Sequence, residues 1–234
     1  MTDSTVIGII GAMKPEVDIL KEWMDISATD SIAHTKVYRG QLAGREVALV
    51  ESGIGKVNAS MITALLLEKY DVRIVINTGV AGALSDKLDV TDMVVSTSVL
   101  HHDVDAVEFG YDLGQVPGMP KFYLADKGLS KLALEAISSN PDIKGHGGLV
   151  VSGDSFISSS GQKQAITNNF RQALAVDMES AAIAQTCYQY STSFVIIRSI
   201  SDKADDSADM TYDEFLAKAC IHSSEVVKSL LKDL

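Results

Sequence analysis

Three acidic side chains stand where proton chemistry could be done. Glu16 comes shortly after the apolar run Val6-Ile7-Gly8-Ile9-Ile10-Gly11, Glu179 closes Asp177-Met178-Glu179 directly behind an apolar stretch, and Asp202 closes Arg198-Ser199-Ile200-Ser201-Asp202 behind another. A carboxylic acid can give a proton to a leaving group and a carboxylate can take one from water. Open α/β sheets place their ligands at the carboxyl ends of strands, which is where these groups should lie. Each also has a plainer explanation. Glu16 in the first turn of a helix complements the helix dipole, and Asp and Ser after a strand are ordinary helix caps. Spacing by itself leaves a shared active site and a set of caps both open.

The elements that must hold these groups follow from periodicity. The run 6–11 is short, β-branched and apolar on consecutive positions, as in a central strand of a parallel sheet buried on both faces. Pro15 suits the first turn of a helix, whose apolar face carries Val17, Ile19, Leu20 and Trp23. Two alternating segments within 36–50, joined through Ala43-Gly44, predict an antiparallel hairpin. Apolar residues at helical spacing run from Lys56 to Tyr70, and Val72 to Ile76 returns as a buried strand. Further strands are expected near 93–98, 148–152, 173–176 and 194–199, with helices near 126–139, 161–169, 178–190 and 212–232. The expected fold is α/β in one domain over 1–234. Residues 101–122, from His101-His102-Asp103 through Phe109-Gly110-Tyr111 to Pro117-Gly118-Met119-Pro120, form a long connection of the kind used for lids and binding loops.

Several motifs exclude more than they assign. Gly8-Ile9-Ile10-Gly11 lacks the spacing of a dinucleotide site, and Ser52-Gly53-Ile54-Gly55-Lys56 lacks the first glycine and the Ser or Thr of a P-loop. The second motif is expected to be a close-approach turn whose backbone N–H groups meet a polar ligand at a helix N-terminus. Asn77-Thr78-Gly79-Val80-Ala81-Gly82 is expected as a turn after its strand, with a ligand-edge role and an ordinary turn both open. Adjacent His101 and His102 point to opposite sides of an extended chain and have no third ligand in view, so no metal is expected. Cys187 and Cys220 lie in apolar helical stretches and are expected as buried free thiols. With 31 acidic and 20 basic residues and a net charge of −11, the chain is a poor partner for nucleic acid or anionic membrane. Its N-terminal stretch has no basic region or cleavage site, so a cytoplasmic location is expected.

The motifs Gly8-Ile-Ile-Gly-Ala-Met13, Ser52-Gly-Ile-Gly-Lys56, Asn77-Thr-Gly79, Val151-Ser-Gly-Asp-Ser-Phe-Ile157, Met178-Glu179 and Ser201-Asp202 occur in one order and spacing that resembles the bacterial 5′-methylthioadenosine/S-adenosylhomocysteine nucleosidases. The resemblance runs from end to end. It implies a nucleoside phosphorylase-like α/β/α sandwich of three layers with a mixed central sheet, working as a homodimer without a cofactor. Glu16 would hold and deprotonate the attacking water, with Met13 nearby, and Asp202, held by Ser201, would protonate adenine N7. Glu179 would take the ribose hydroxyls while Met178 packs on the sugar. Phe156 would stack on adenine, the backbone of Ile157 would read its edge, and Gly82 would adjoin the substrate. Ile54 and Tyr212, with Phe109 and Pro117 of the 101–122 loop reaching in from a second subunit, would line the alkylthio pocket. Val80 stands where many members carry Ser, and Asp177 replaces a more usual Glu.

The implied reaction is hydrolysis of a thio-substituted adenosine at its N-glycosidic bond. Adenine is a poor anionic leaving group, so protonation must accompany cleavage, and a carboxylate facing the ribose can polarise water and offset the developing positive charge. Two rivals remain at this point. A purine nucleoside phosphorylase would put phosphate in place of water, which calls for an arginine or a cluster of donors; the related enzymes carry Arg and Ser where this chain has Asn77 and Val80. A non-catalytic nucleoside-binding protein would leave an acid opposite a base unexplained.

Overall fold

The computed structural model describes residues 5–141 and 143–234; residues 1–4, part of the N-terminal stretch considered above, lie outside it. The chain runs β1 (Val6–Gly11), α1 (Lys14–Trp23), β2 (Asp25–Ile32), β3 (Thr35–Leu42), β4 (Arg45–Glu51), α2 (Lys56–Tyr70), β5 (Val72–Ala83), β6 (Met93–His101), a 3₁₀ turn at Val107–Phe109, β7 (Tyr123–Leu124), α3 (Lys127–Ser138), β8 (Gly145–Ser152), α4 (Ser160–Asn169), β9 (Ala173–Asp177), α5 (Ser180–Gln189), β10 (Ser193–Asp202) and α6 (Ala208–Asp233).

The strands form one mixed sheet in the order β10-β6-β8-β9-β5-β1-β4-β3-β2. Successive side chains of a strand face opposite ways, and the core divides accordingly. Ile9, Ile76 and Val195 pack with Val17 and Leu20 of α1, Leu129 and Ala133 of α3, and Val227 and Leu230 of α6. Their neighbours Ile10, Val75 and Ile196 pack on the other face with Ile62 and Leu66 of α2 and Ile183 and Cys187 of α5. Helix, sheet and helix thus make three layers. β5 also pairs directly with β10, so β5, β10, β6, β8 and β9 close on themselves at one end of the sheet.

The hairpin β3–β4 turns at Ala43 and Gly44, both at positive φ, which matches the twist of two antiparallel strands. Four differences from the sequence reading matter. β2 was not anticipated, because Asp-Ile-Ser-Ala-Thr-Asp-Ser-Ile is mostly polar; it is an edge strand whose polar residues face outward. Helix α6 starts at Ala208, ahead of the apolar periodicity that suggested 212. Residues 77–82 are not a turn: they continue β5 to Ala83, and β10 likewise continues to Asp202. Their small residues signal close approach of other groups rather than a change of direction, as the site makes plain.

Candidate active site

The carboxyl ends of β1, β5, β9 and β10 surround a cavity of about 470 Å³. Met13 and Glu16 reach it from the start of α1, Gly82 from β5, and Met178 with Glu179 from the β9–α5 junction. Ser201 and Asp202 reach it from β10, and Ile54, Phe156 and Tyr212 stand around it. Ile157 is buried in the core and borders a smaller adjoining recess with Phe156 and Asp202. Phe109 and Pro117 do not line the cavity of their own chain; Phe109 is 83% exposed.

Glu16 is buried, and its two carboxylate oxygens do different things. Oε2 accepts the N–H groups of Ala12 at 2.6 Å and Met13 at 2.9 Å, closing the first turn of its own helix. Oε1 reaches across to the N–H of Val80 on β5 at 3.2 Å. The helix cap and the site carboxylate are therefore the same group. Burial pushes its carboxyl above the usual range, against the charge of Arg198 and the three backbone donors. Gly79 makes this placement possible: a Cβ there would stand 2.5 Å from Glu16 Oε1.

Asp202 is 1% exposed. Its Oδ1 accepts the Ala204 N–H at 2.8 Å and its Oδ2 accepts the Ser201 hydroxyl at 2.8 Å. A Cβ at Gly82 would lie 2.9 Å from Oδ1. The two glycines of the 77–82 segment thus leave room for the two carboxylates, which explains why a buried strand carries residues that looked like a turn.

Glu179 sits at the N-cap of α5, and its Oε1 accepts the Gly55 N–H at 2.8 Å. Burial, reinforced by the charge of Asp177, raises its carboxyl to about 7. The N-terminus of α2 differs from expectation here. Its first donors meet the protein's own acids, Gly55 to Glu179 and Lys56 to Asp154 at 2.9 Å. Around the mouth, the Phe156 and Tyr212 rings meet edge to face at 5.7 Å and the Tyr212 hydroxyl lies 3.1 Å from Met13 sulfur.

No Lys, Arg or His is among the described residues that line the cavity. Arg198 lies nearby but is 1% exposed, donating to Asp177, Ser180 and Asn77. The sequence reading did not single it out, although an arginine within the apolar run Phe-Val-Ile-Ile-Arg-Ser-Ile demands a buried partner. Asp213, also at the cavity, was missed because an exposed helical acid carries no signal of its own. His101 bonds Gln185 at 2.8 Å, and both cysteines are buried free thiols.

A mixed α/β sheet with convergent carboxylates around one nucleoside-sized cavity defines a class. Residues 6–232 match the model of the phosphorylase superfamily, and the chain belongs to that family. Within it the chain is similar over its length to 5′-methylthioadenosine/S-adenosylhomocysteine nucleosidases. The Staphylococcus epidermidis protein of that name is 49% identical, covering 98% of this chain and 100% of the relative. The Neisseria meningitidis nucleosidase, solved with methylthio-immucillin-A, superposes with a TM-score of 0.96 at 43% identity, covering 98% of this chain and 100% of the other. The futalosine hydrolase of Helicobacter pylori superposes with a TM-score of 0.93 at 31% identity, covering 99% of each chain.

Proposed function

We propose that this protein is an N-glycosyl hydrolase that cleaves 5′-methylthioadenosine and S-adenosylhomocysteine to adenine and the 5′-thioribose product. The observation that carries the reading is the cavity itself, in which Glu16 and Asp202 are both held from backbone N–H groups and, among the described residues, no cationic side chain lines it to take phosphate. The full-length similarity to nucleosidases supports it.

In this reading, the C1′–N9 bond breaks with its electron pair passing to adenine, and N7 takes the proton of the Asp202 carboxyl. Positive charge grows on the ribose beside ionised Glu16, which accepts a proton from the attacking water as its oxygen bonds C1′. One water is consumed per bond broken. Glu179 holds the ribose hydroxyls, Phe156 stacks on the base, and Ile157 presents backbone to its edge. The apolar residues Ile54 and Met13, with Tyr212, suit an uncharged alkylthio group.

Adenine release is expected at the same rate in phosphate-free buffer and in phosphate, with a free reducing sugar as the product by HPLC. A sugar 1-phosphate, or a rate that needs phosphate, would refute hydrolysis. Among the described residues, Arg198 is the cation nearest to Glu16 in effect, and it is committed to Asp177; the phosphorylase reading therefore lacks its anion site.

The proposal extends to a homodimer in which loop 101–122 borders the neighbour's cavity. Phe109 at 83% exposure and Val107 at 51% are large apolar groups that a monomer would leave in water. Sedimentation velocity at assay concentration should give twice the chain mass; a fully active monomer would rule the shared site out. A cytoplasmic location and a place in methionine salvage complete the proposal, and no helix among the described residues is long and apolar enough to cross a membrane.

A further inference from the structure

Beneath the cavity lies a buried polar cluster that the hydrolytic steps above do not use. Arg198 donates through Nε to Asp177 Oδ2 at 2.7 Å, and through Nη2 to Ser180 Oγ at 2.9 Å and to Asn77 Oδ1. Asp177 Oδ1 accepts the Ser152 hydroxyl at 2.5 Å and the backbone N–H groups of Glu179 at 3.3 Å and Ser180 at 3.2 Å. Asp177 Oδ2 also accepts the Ser180 hydroxyl. All five side chains are buried and come from β5, β8, β9, α5 and β10. A guanidinium at this depth is tolerated only when its charge is paired and its donors are met.

The Ser180 hydroxyl bridges the carboxylate and the guanidinium, touching both. The same carboxylate grips the backbone of Glu179, whose side chain faces the cavity. We propose that Asp177 and Ser180 act as one positioning unit: the short acid and the hydroxyl together fill the space between Arg198 and the Glu179 backbone, and so set where the Glu179 carboxylate meets ribose. This inference rests on the reading of Glu179 as the ribose ligand. Asp177 also borders the cavity, but its carboxylate oxygens are taken by Arg198, Ser152, Ser180 and the Glu179 backbone.

The pairing makes a reciprocal demand on volume. Glu at 177 would carry its carboxylate about 1.5 Å further along the chain, into the Ser180 hydroxyl or Arg198. Ala at 180 would take one hydrogen-bond partner from Asp177 and one from Arg198. Put together, the longer acid and the missing hydroxyl compensate.

Kinetics of Ser180→Ala, Asp177→Glu and the double variant test this. Each single change is expected to raise the KM for methylthioadenosine about tenfold, because ribose contacts act in ground and transition states alike. The double variant should return to within about threefold of wild type, where independent effects would multiply. Inhibition by free adenine, which has no ribose, should stay within about twofold throughout, since only the ribose contact is disturbed. A double variant with the product of the single effects would overturn the proposal, as would adenine affinity falling in step with KM. If a single variant does not fold, a soluble and active double still supports the coupling and an insoluble double overturns it. Glu179→Ala with unchanged KM in an otherwise active enzyme would instead remove the ribose reading itself.

Discussion

Asp202→Asn is expected to bind nucleoside nearly as well as wild type and to turn it over about 10²- to 10⁴-fold more slowly, the usual worth of a general acid. The amide keeps the shape of the side chain: its oxygen can still accept the Ala204 N–H, and its NH2 can donate to Ser201 Oγ once that hydroxyl turns wholly to the Ala81 carbonyl. What it loses is the proton for N7. The loss should appear in kcat, with the dissociation constant of an uncleavable analogue little changed. A folded Asp202→Asn enzyme with near wild-type kcat would return Ser201-Asp202 to the role of a plain helix cap, the alternative that sequence spacing alone left standing.

Glu16→Gln should cost on the order of 10³ in kcat, since it removes both the base for water and the charge opposite the ribose cation. Misfolding can be separated from this effect by the sign of the pKa shift. Burial raises the Glu16 carboxyl above its unfolded value. The stability that goes with its protonated form is present below the unfolded pKa and is lost as pH rises through the folded one. A permanently neutral Gln escapes that loss but has one acceptor oxygen, so either the Val80 N–H or the Ala12 and Met13 N–H groups go unmet; a folded Glu16→Gln should therefore show a melting temperature that depends less on pH than that of wild type. The same shift fixes the wild-type profile: kcat/KM should fall as pH drops through a value above the ordinary carboxylate range, as Glu16 takes up a proton. An acid limb at the unperturbed carboxylate pKa, or a folded Glu16→Gln enzyme with near wild-type kcat, would contradict this assignment.

Much of this site was legible because strands announce themselves before their last residue. The apolar runs that became β1, β5, β9 and β10 located the sheet's ligand edge, and Glu16, Glu179 and Asp202 follow them in the chain. Residues 77–82 misled because Gly and Ala signal both a turn and a close approach. Only the fold shows that Gly79 and Gly82 stand against the carboxylates of Glu16 and Asp202. β2 was hidden for the opposite reason: an edge strand with outward polar residues has no apolar alternation to detect. The Arg198 cluster joins residues 77, 152, 177, 180 and 198, which no local pattern relates. An unpaired-looking arginine in a buried strand was its one visible trace. The closure of β5 onto β10 and β9 likewise depends on the bend of a long strand, which side-chain periodicity does not encode.

In this reading the cavity is built for a ribose cation facing Glu16 and a protonated base facing Asp202, and an adenosine analogue with a protonated nitrogen in its sugar ring and a hydrogen on the N7 position probes that claim. Calorimetry on wild type and Glu16→Gln should show that this analogue binds wild type at least about 10²-fold more tightly than its neutral, isosteric counterpart, as transition-state mimics do. Most of that preference should disappear in Glu16→Gln. Equal affinities for the charged and neutral analogues in wild type, or a preference that survives in Glu16→Gln, would contradict the claim.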